Sequence, residues 1–165
     1  ETFGKLEGQT LAYVGDGNNV AHSLMICGAL LGVNVRIGSP EGFEPLDEVV
    51  AKARALAVGG SSIQITNDPY ETVSGANAVY TDVWASMGQE KEQGLREQAF
   101  KPFCLNGNLL LEASPNAIVL HCLPAHRGEE ISAEVMESSS SRIFEQAENR
   151  LHVQQALLAA LLGGL

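Results

Sequence analysis

Basic residues are scarce in this sequence of 165 residues: ten Lys and Arg stand against twenty Asp and Glu, a formal net charge of −10. Nucleic acids and anionic membrane surfaces are held by clustered Lys and Arg, so neither is expected as a partner. Cysteine is sparse as well. Cys27, Cys104 and Cys122 are odd in number and widely spaced, which fits no disulfide framework and points to a reducing, cytoplasmic setting. No His or Cys pair has the spacing of metal ligands, so no metal is expected. Long apolar runs are missing too: none reaches the roughly 18 residues of a membrane span. No basic start leads into an apolar stretch, so no signal peptide is read. The chain opens on Glu1 rather than Met, as expected of a processed chain or a piece of a longer one. What is present is a globular balance, 45% hydrophobic and 18% charged, in a length suited to one domain.

Short apolar strands alternate with helical patterns throughout. Strands are expected at Thr10–Val14, Val33–Ile37, Ser62–Thr66, Ala78–Thr81 and Ala117–Leu120. Helices are expected at Val20–Leu31, in Leu46–Ala57 with one buried face, at Pro69–Ser74, in a polar surface segment Glu90–Phe100, at Asn108–Ala113, Ser132–Glu137 and Ala147–Leu162. Strands apolar on both faces belong to a parallel sheet covered on both sides. The expected fold is α/β: a single doubly wound, open parallel sheet of Rossmann-like form. Ligands of such sheets bind beyond the carboxyl ends of the strands, and three loops there carry chemistry.

Gly15-Asp16-Gly17-Asn18-Asn19 follows the first strand. It approaches a dinucleotide fingerprint but has Val20 at the third glycine position, and no acid closes the second strand, which carries Arg36 instead. An NADP site, with Arg36 on a 2′-phosphate, is therefore one reading. The asparagines at a helix start suit a carboxylate, although plain helix capping accounts for Asn18 as well. In the second loop, Asp82-Val83-Trp84-Ala85-Ser86-Met87-Gly88, Asp82 can hold an ammonium by a charge-assisted hydrogen bond; a capped turn with a packed Trp84 is the plainer alternative. The third, His121-Cys122-Leu123-Pro124-Ala125-His126-Arg127-Gly128, crowds Cys, His and Arg at one edge. Nearby cations would shift Cys122 toward thiolate, and a Cys–His nucleophile is conceivable; a buried structural cysteine is the commoner case. Arg150 would fall in the first turn of the last helix, where a cation opposes the helix dipole. His22 and His152 read as ordinary helix residues.

Taken together and in this order, the three loops resemble the amino-acid-binding domain of the ornithine carbamoyltransferase family, over almost the whole chain and including Ala147-Glu148-Asn149-Arg150. Ser86-Met87-Gly88 is similar to the loop of the ornithine-using members. The resemblance implies a reaction in which the δ-amine of L-ornithine attacks carbamoyl phosphate, giving citrulline and phosphate, with no metal or organic cofactor. It implies Asn19 on the α-carboxylate of ornithine, and Asp82 and Ser86 with the Met87 backbone around its α-ammonium and carboxylate. Cys122 would stand beside the δ-amine as the catalytic residue, the Leu123 carbonyl would orient the reacting groups, and Arg150 would reach the carbamoyl group. It also implies a cis Leu123–Pro124 peptide, an arginine-biosynthetic or urea-cycle role and a homotrimeric parent enzyme. Family members bind carbamoyl phosphate mainly through a separate N-terminal domain with a Ser-x-Arg-Thr loop. Ser141-Arg142 is followed here by Ile143, so this sequence is expected to be the ornithine-binding half, inactive alone. Its last helix, widely apolar from Leu151 to Leu162, is expected to expose an apolar face in this chain, and to be frayed or paired with a second copy. A stand-alone amino-acid-binding module is the alternative, beside the NADP-binding one.

Overall fold

A computed structural model describes residues 1–84 and 93–163. Thr10–Val14 (β1), Asn34–Gly38 (β2), Ile63–Thr66 (β3), Ala78–Thr81 (β4) and Ile118–His121 (β5) form a five-stranded parallel sheet in the order β3-β2-β1-β4-β5. The helices are Asn19–Leu30 (α1), Asp47–Leu56 (α2), Pro69–Val73 (α3), Gln93–Phe100 (α4), Gly107–Leu110 (α5), Ala133–Met136 (α6) and Ile143–Leu161 (α7). The expected α/β sheet is thus present. Successive residues of a strand face opposite ways, and the core divides accordingly. Ala12, Val14 and Val79 pack with Val73, Leu105, Leu109, Val135 and Ile143, from the α3, α5, α6 and α7 side. Tyr13, Val35, Ile37 and Tyr80 pack with Ala21, Met25, Val50 and Ala53 of α1 and α2.

The strand order reverses between β1 and β4, which opens a crevice beyond their carboxyl ends. The loop after β1 is shaped by two glycines. Gly15 has φ +147°, and Gly17 lies so near the β2–α2 connection that a Cβ there would stand 2.3 Å from the Pro45 nitrogen and 2.4 Å from the Glu44 carbonyl carbon. Its N–H donates to the Phe43 carbonyl at 2.8 Å. Gly17 therefore receives a neighbouring stretch of chain where a dinucleotide fingerprint would receive a pyrophosphate. Gly17→Ala should cost about 1–3 kcal/mol by overpacking against backbone. A lowered urea midpoint with unchanged slope would show this; an unchanged midpoint would mean that the 43–45 segment yields freely.

The expected start of the last helix is corrected. The last helix begins at Ile143, a turn before the expected Ala147. Ile143 is fully buried in the core, so burial rather than a capping side chain starts it; Arg142 at its N-cap makes no side-chain capping bond. This moves Arg150 out of the first turn and into the body of the helix. The helix is regular from Ile143 to Leu161, as suits a Leu- and Ala-rich segment, and it exposes the expected apolar face: Leu151, Val153, Leu157, Leu158 and Leu161 are all exposed.

Candidate functional site

Three strand ends supply the site. From β4, Asp82 is buried, and its Oδ1 accepts from the Val83 N–H at 2.8 Å and from the Cys122 thiol at 2.9 Å. Cys122 directly follows β5. Burial, the hydrogen bond to Asp82 and the Asp82 charge push the thiol up to about 12. The expected drift toward thiolate is thus reversed: the nearest charge is a carboxylate, and the sulfur keeps its proton in order to donate it. Tyr80, on β4, is the thiol's other neighbour.

His121 closes β5 and is fully buried. Its Nδ1 accepts from the Leu123 N–H at 2.9 Å and its Nε2 lies 3.1 Å from Glu130 Oε1. The ring proton therefore sits on Nε2 and is donated to Glu130, which also accepts from the His126 N–H at 2.6 Å. With both nitrogens engaged, His121 has no lone pair to offer Cys122, so the pair does not form a nucleophile and base. The Leu123–Pro124 peptide is cis, as expected, and Leu123 has φ +60°. Donor atoms of Asp82, His121 and Cys122 lie within 4.8 Å of one another, as do those of His126, Glu129 and Glu130, but the imidazole of the first group is already committed to Leu123.

From β1, Asn18 caps α1 by accepting from the Val20 N–H at 3.0 Å. Asn19 is the first residue of α1, exposed at the crevice end of the sheet. The Asp16 carboxylate is paired with the Arg96 guanidinium, which stacks over Phe43 and Phe100 at 4.8 and 5.2 Å from their ring centres and donates to the Trp84 carbonyl at 2.8 Å. Burial pushes the Asp16 carboxyl up, against the pull of Arg96. The segment expected to be a polar surface helix thus contributes a buried cation. Arg96, Asp16, Glu130, Tyr80 and Gln146 escaped the sequence reading; the one signal for any of them was the polar company of Asp16 in the glycine loop.

Of the expected site residues, Asp82 and Cys122 touch, Leu123 adjoins them, and Asn19 stands across the crevice. Arg150 is exposed on α7. Ser86 and Met87 lie outside the described residues. Arg36, the expected partner of a 2′-phosphate, donates to the Ser74 carbonyl at 2.6 Å instead. His22 is more than an ordinary helix residue: its Nε2 accepts from the Leu46 N–H at 3.2 Å, ahead of α2.

A family model described as the aspartate/ornithine carbamoyltransferase Asp/Orn binding domain matches residues 7–161. The ornithine carbamoyltransferase of Prochlorococcus marinus strain MIT 9313 is 73% identical over the whole chain, and that of Thermosynechococcus vestitus 60% identical over 98% of it. The chain covers 52% of either relative, so it spans about half the length of the curated relatives it matches. The solved ornithine carbamoyltransferase of Pyrococcus furiosus aligns with a TM-score of 0.93 at 49% identity, over 98% of this chain and 52% of that one. The Gloeobacter violaceus enzyme gives 0.89 at 52% identity, over 97% and 53%.

Proposed function

The chain belongs to the aspartate/ornithine carbamoyltransferase family, and from that premise we propose that it is the ornithine-binding half of an ornithine carbamoyltransferase. The observation that carries the reading is the contact between Asp82 and Cys122 at the reversal of strand order, opposite Asn19. A zwitterionic amino-acid head needs an acid for its ammonium and neutral donors for its carboxylate. Asp82 and the amide of Asn19 supply these, with Ser86 and the Met87 backbone completing the set in this proposal. The δ-amine, with an ordinary pKa near 10.4, is mostly protonated at neutral pH and must lose a proton before it attacks.

Burial and Asp82 together hold the Cys122 thiol up, and an ammonium arriving at Asp82 would neutralise the second of these and ease deprotonation of the sulfur beside the δ-amine. The Leu123 carbonyl, placed by the bond that the Leu123 N–H donates to His121 Nδ1, would orient the reacting nitrogen. Arg150 would approach the carbamoyl oxygen from α7. Carbamoyl phosphate would be held chiefly by the other half of the full-length protein, in a homotrimeric cytoplasmic enzyme serving arginine synthesis.

Thermal unfolding in the presence of L-ornithine, of NADP or of neither tests the reading. Ligand at ten times its Kd stabilises by about 1.4 kcal/mol, a rise of about 3–6 °C for a domain of this size. A rise with ornithine is expected. A rise with NADP alone would overturn the proposal in favour of a nucleotide site.

A further inference from the structure

Arg96 turns inward from α4 and is 4% exposed. Its Nε donates to the Trp84 carbonyl at 2.8 Å, its Nη2 donates to the Asp16 carboxylate, and its guanidinium lies over the Phe43 and Phe100 rings. Those two rings meet edge to face at 4.9 Å, and the Trp84 ring lies 6.0 Å from that of Phe100. The partners come from separate strand ends. Asp16 stands just before Asn18 and Asn19 in the loop after β1, and Trp84 follows Asp82 and Val83 beyond β4. Phe43, in the β2–α2 connection, accepts from the Gly17 N–H through its carbonyl. The pairing of β1 with β4 ends at Val14 and Thr81, and Arg96 continues the join beyond it.

Such a pair is a poor device for stability alone. Taking two charges out of water offsets much of their attraction, and apolar side chains of similar volume often serve as well or better. What the guanidinium adds is geometry: a rigid planar fork that holds two acceptors at a set angle, which an ammonium on a flexible stem does not. We propose that Arg96 is a positioning residue for ornithine, clamping the loop after β4 to the loop after β1 so that Asp82 and Asn19 keep the separation that one amino-acid head requires. The ammonium and carboxylate of that head share a single α-carbon, so neither partner can drift without weakening one of the two contacts. That ornithine is the ligand rests on the proposed function; the clamp itself is read from the fold.

Two variants separate positioning from mere support. Arg96→Met leaves the Asp16 carboxylate buried and unpaired, so it should lower the melting temperature. Adding Asp16→Asn removes the stranded charge and should return most of that stability. A residue that only supported the fold would recover ornithine binding at the same time. In the full-length protein the double variant should instead keep a KM for ornithine raised about tenfold, the loss of roughly one hydrogen bond to a charged group, with a smaller effect on kcat and none on KM for carbamoyl phosphate. Arg96→Lys keeps the charge without the fork; it should show the same rise in KM, and it carries the test should the double variant not fold. The clamp has a readout of its own, because Trp84 is the single tryptophan of the chain and is buried. Acrylamide should quench its fluorescence more strongly in both variants of the chain. Wild-type quenching in the folded variants, or a wild-type KM for ornithine in the stable double variant, would overturn the inference. Stronger quenching in the variants, beside a wild-type full-length protein that makes no citrulline, would sustain the clamp and sink the proposed function instead.

Discussion

Purified by itself, the chain is expected to form no citrulline above background, and to gain turnover only when mixed with a separately produced carbamoyl-phosphate-binding half. Holding two reactants in register accounts for roughly 7–11 kcal/mol of a bimolecular barrier, or about 10⁵- to 10⁸-fold in rate. In the proposed function the residues of this chain provide for one reactant. At the start of α1 two N–H groups are already in use: Gly17 donates to Phe43, and Val20 donates to Asn18. A half-crevice open to water also weakens each polar contact to ornithine. The measurement is a citrulline assay on the chain, repeated with a separately produced carbamoyl-phosphate-binding half. Turnover by the chain alone would defeat the division of labour proposed here. Turnover only in the mixture would support it.

Asp82→Asn should have the largest effect of any single substitution at the crevice. Asparagine keeps an oxygen where Oδ1 accepts from Val83, so the turn is retained while the charge is lost. Removing one partner of a charge-assisted pair costs on the order of 1.5–3 kcal/mol, about 10- to 100-fold in ornithine affinity. Calorimetric titration of the full-length protein with ornithine, and separately with carbamoyl phosphate, should show the loss for ornithine only. An equal loss for both would make Asp82 a scaffold residue. The same variant carries a second signature. Two of the causes that raise the Cys122 thiol are the hydrogen bond to Asp82 and its charge. With the charge gone the thiol should fall toward its ordinary value, and alkylation of Cys122 at fixed pH should quicken about tenfold. Slower alkylation would contradict the arrangement of proton and charge described above.

The sheet was legible because apolar runs such as Thr10–Val14 and Ala78–Thr81 are bounded by turn residues, and because parallel strands buried on both faces need no alternation. The start of α7 was not, since Ile143 is drawn in by the core and no capping side chain marks the place. At the site, Asp82 and Cys122 could be singled out because each follows a strand. Their mutual effect could not: only the folded distance shows that the charge nearest the thiol is negative. Arg96 was hidden for a related reason. A polar stretch reads as solvated until its partner is known, and that partner, Asp16, is 80 residues away. Gln146 is in the same position: its side-chain amide bridges the His121 N–H and the Tyr80 hydroxyl, on two different strands, and nothing in the sequence marks it.

The reversal of strand order has a kinetic side. β1, β2 and β3 are joined through α1 and α2 by short crossovers and can collapse early around Met25, Val35 and Val50. The crevice needs β4 beside β1, where Thr81 donates to the Val14 carbonyl across 67 residues of chain. Contacts of such separation are costly to close and form late. A partly folded chain would therefore have most of a sheet and none of the site, so an amino acid bound in the crevice would slow unfolding and leave the rate of folding almost untouched.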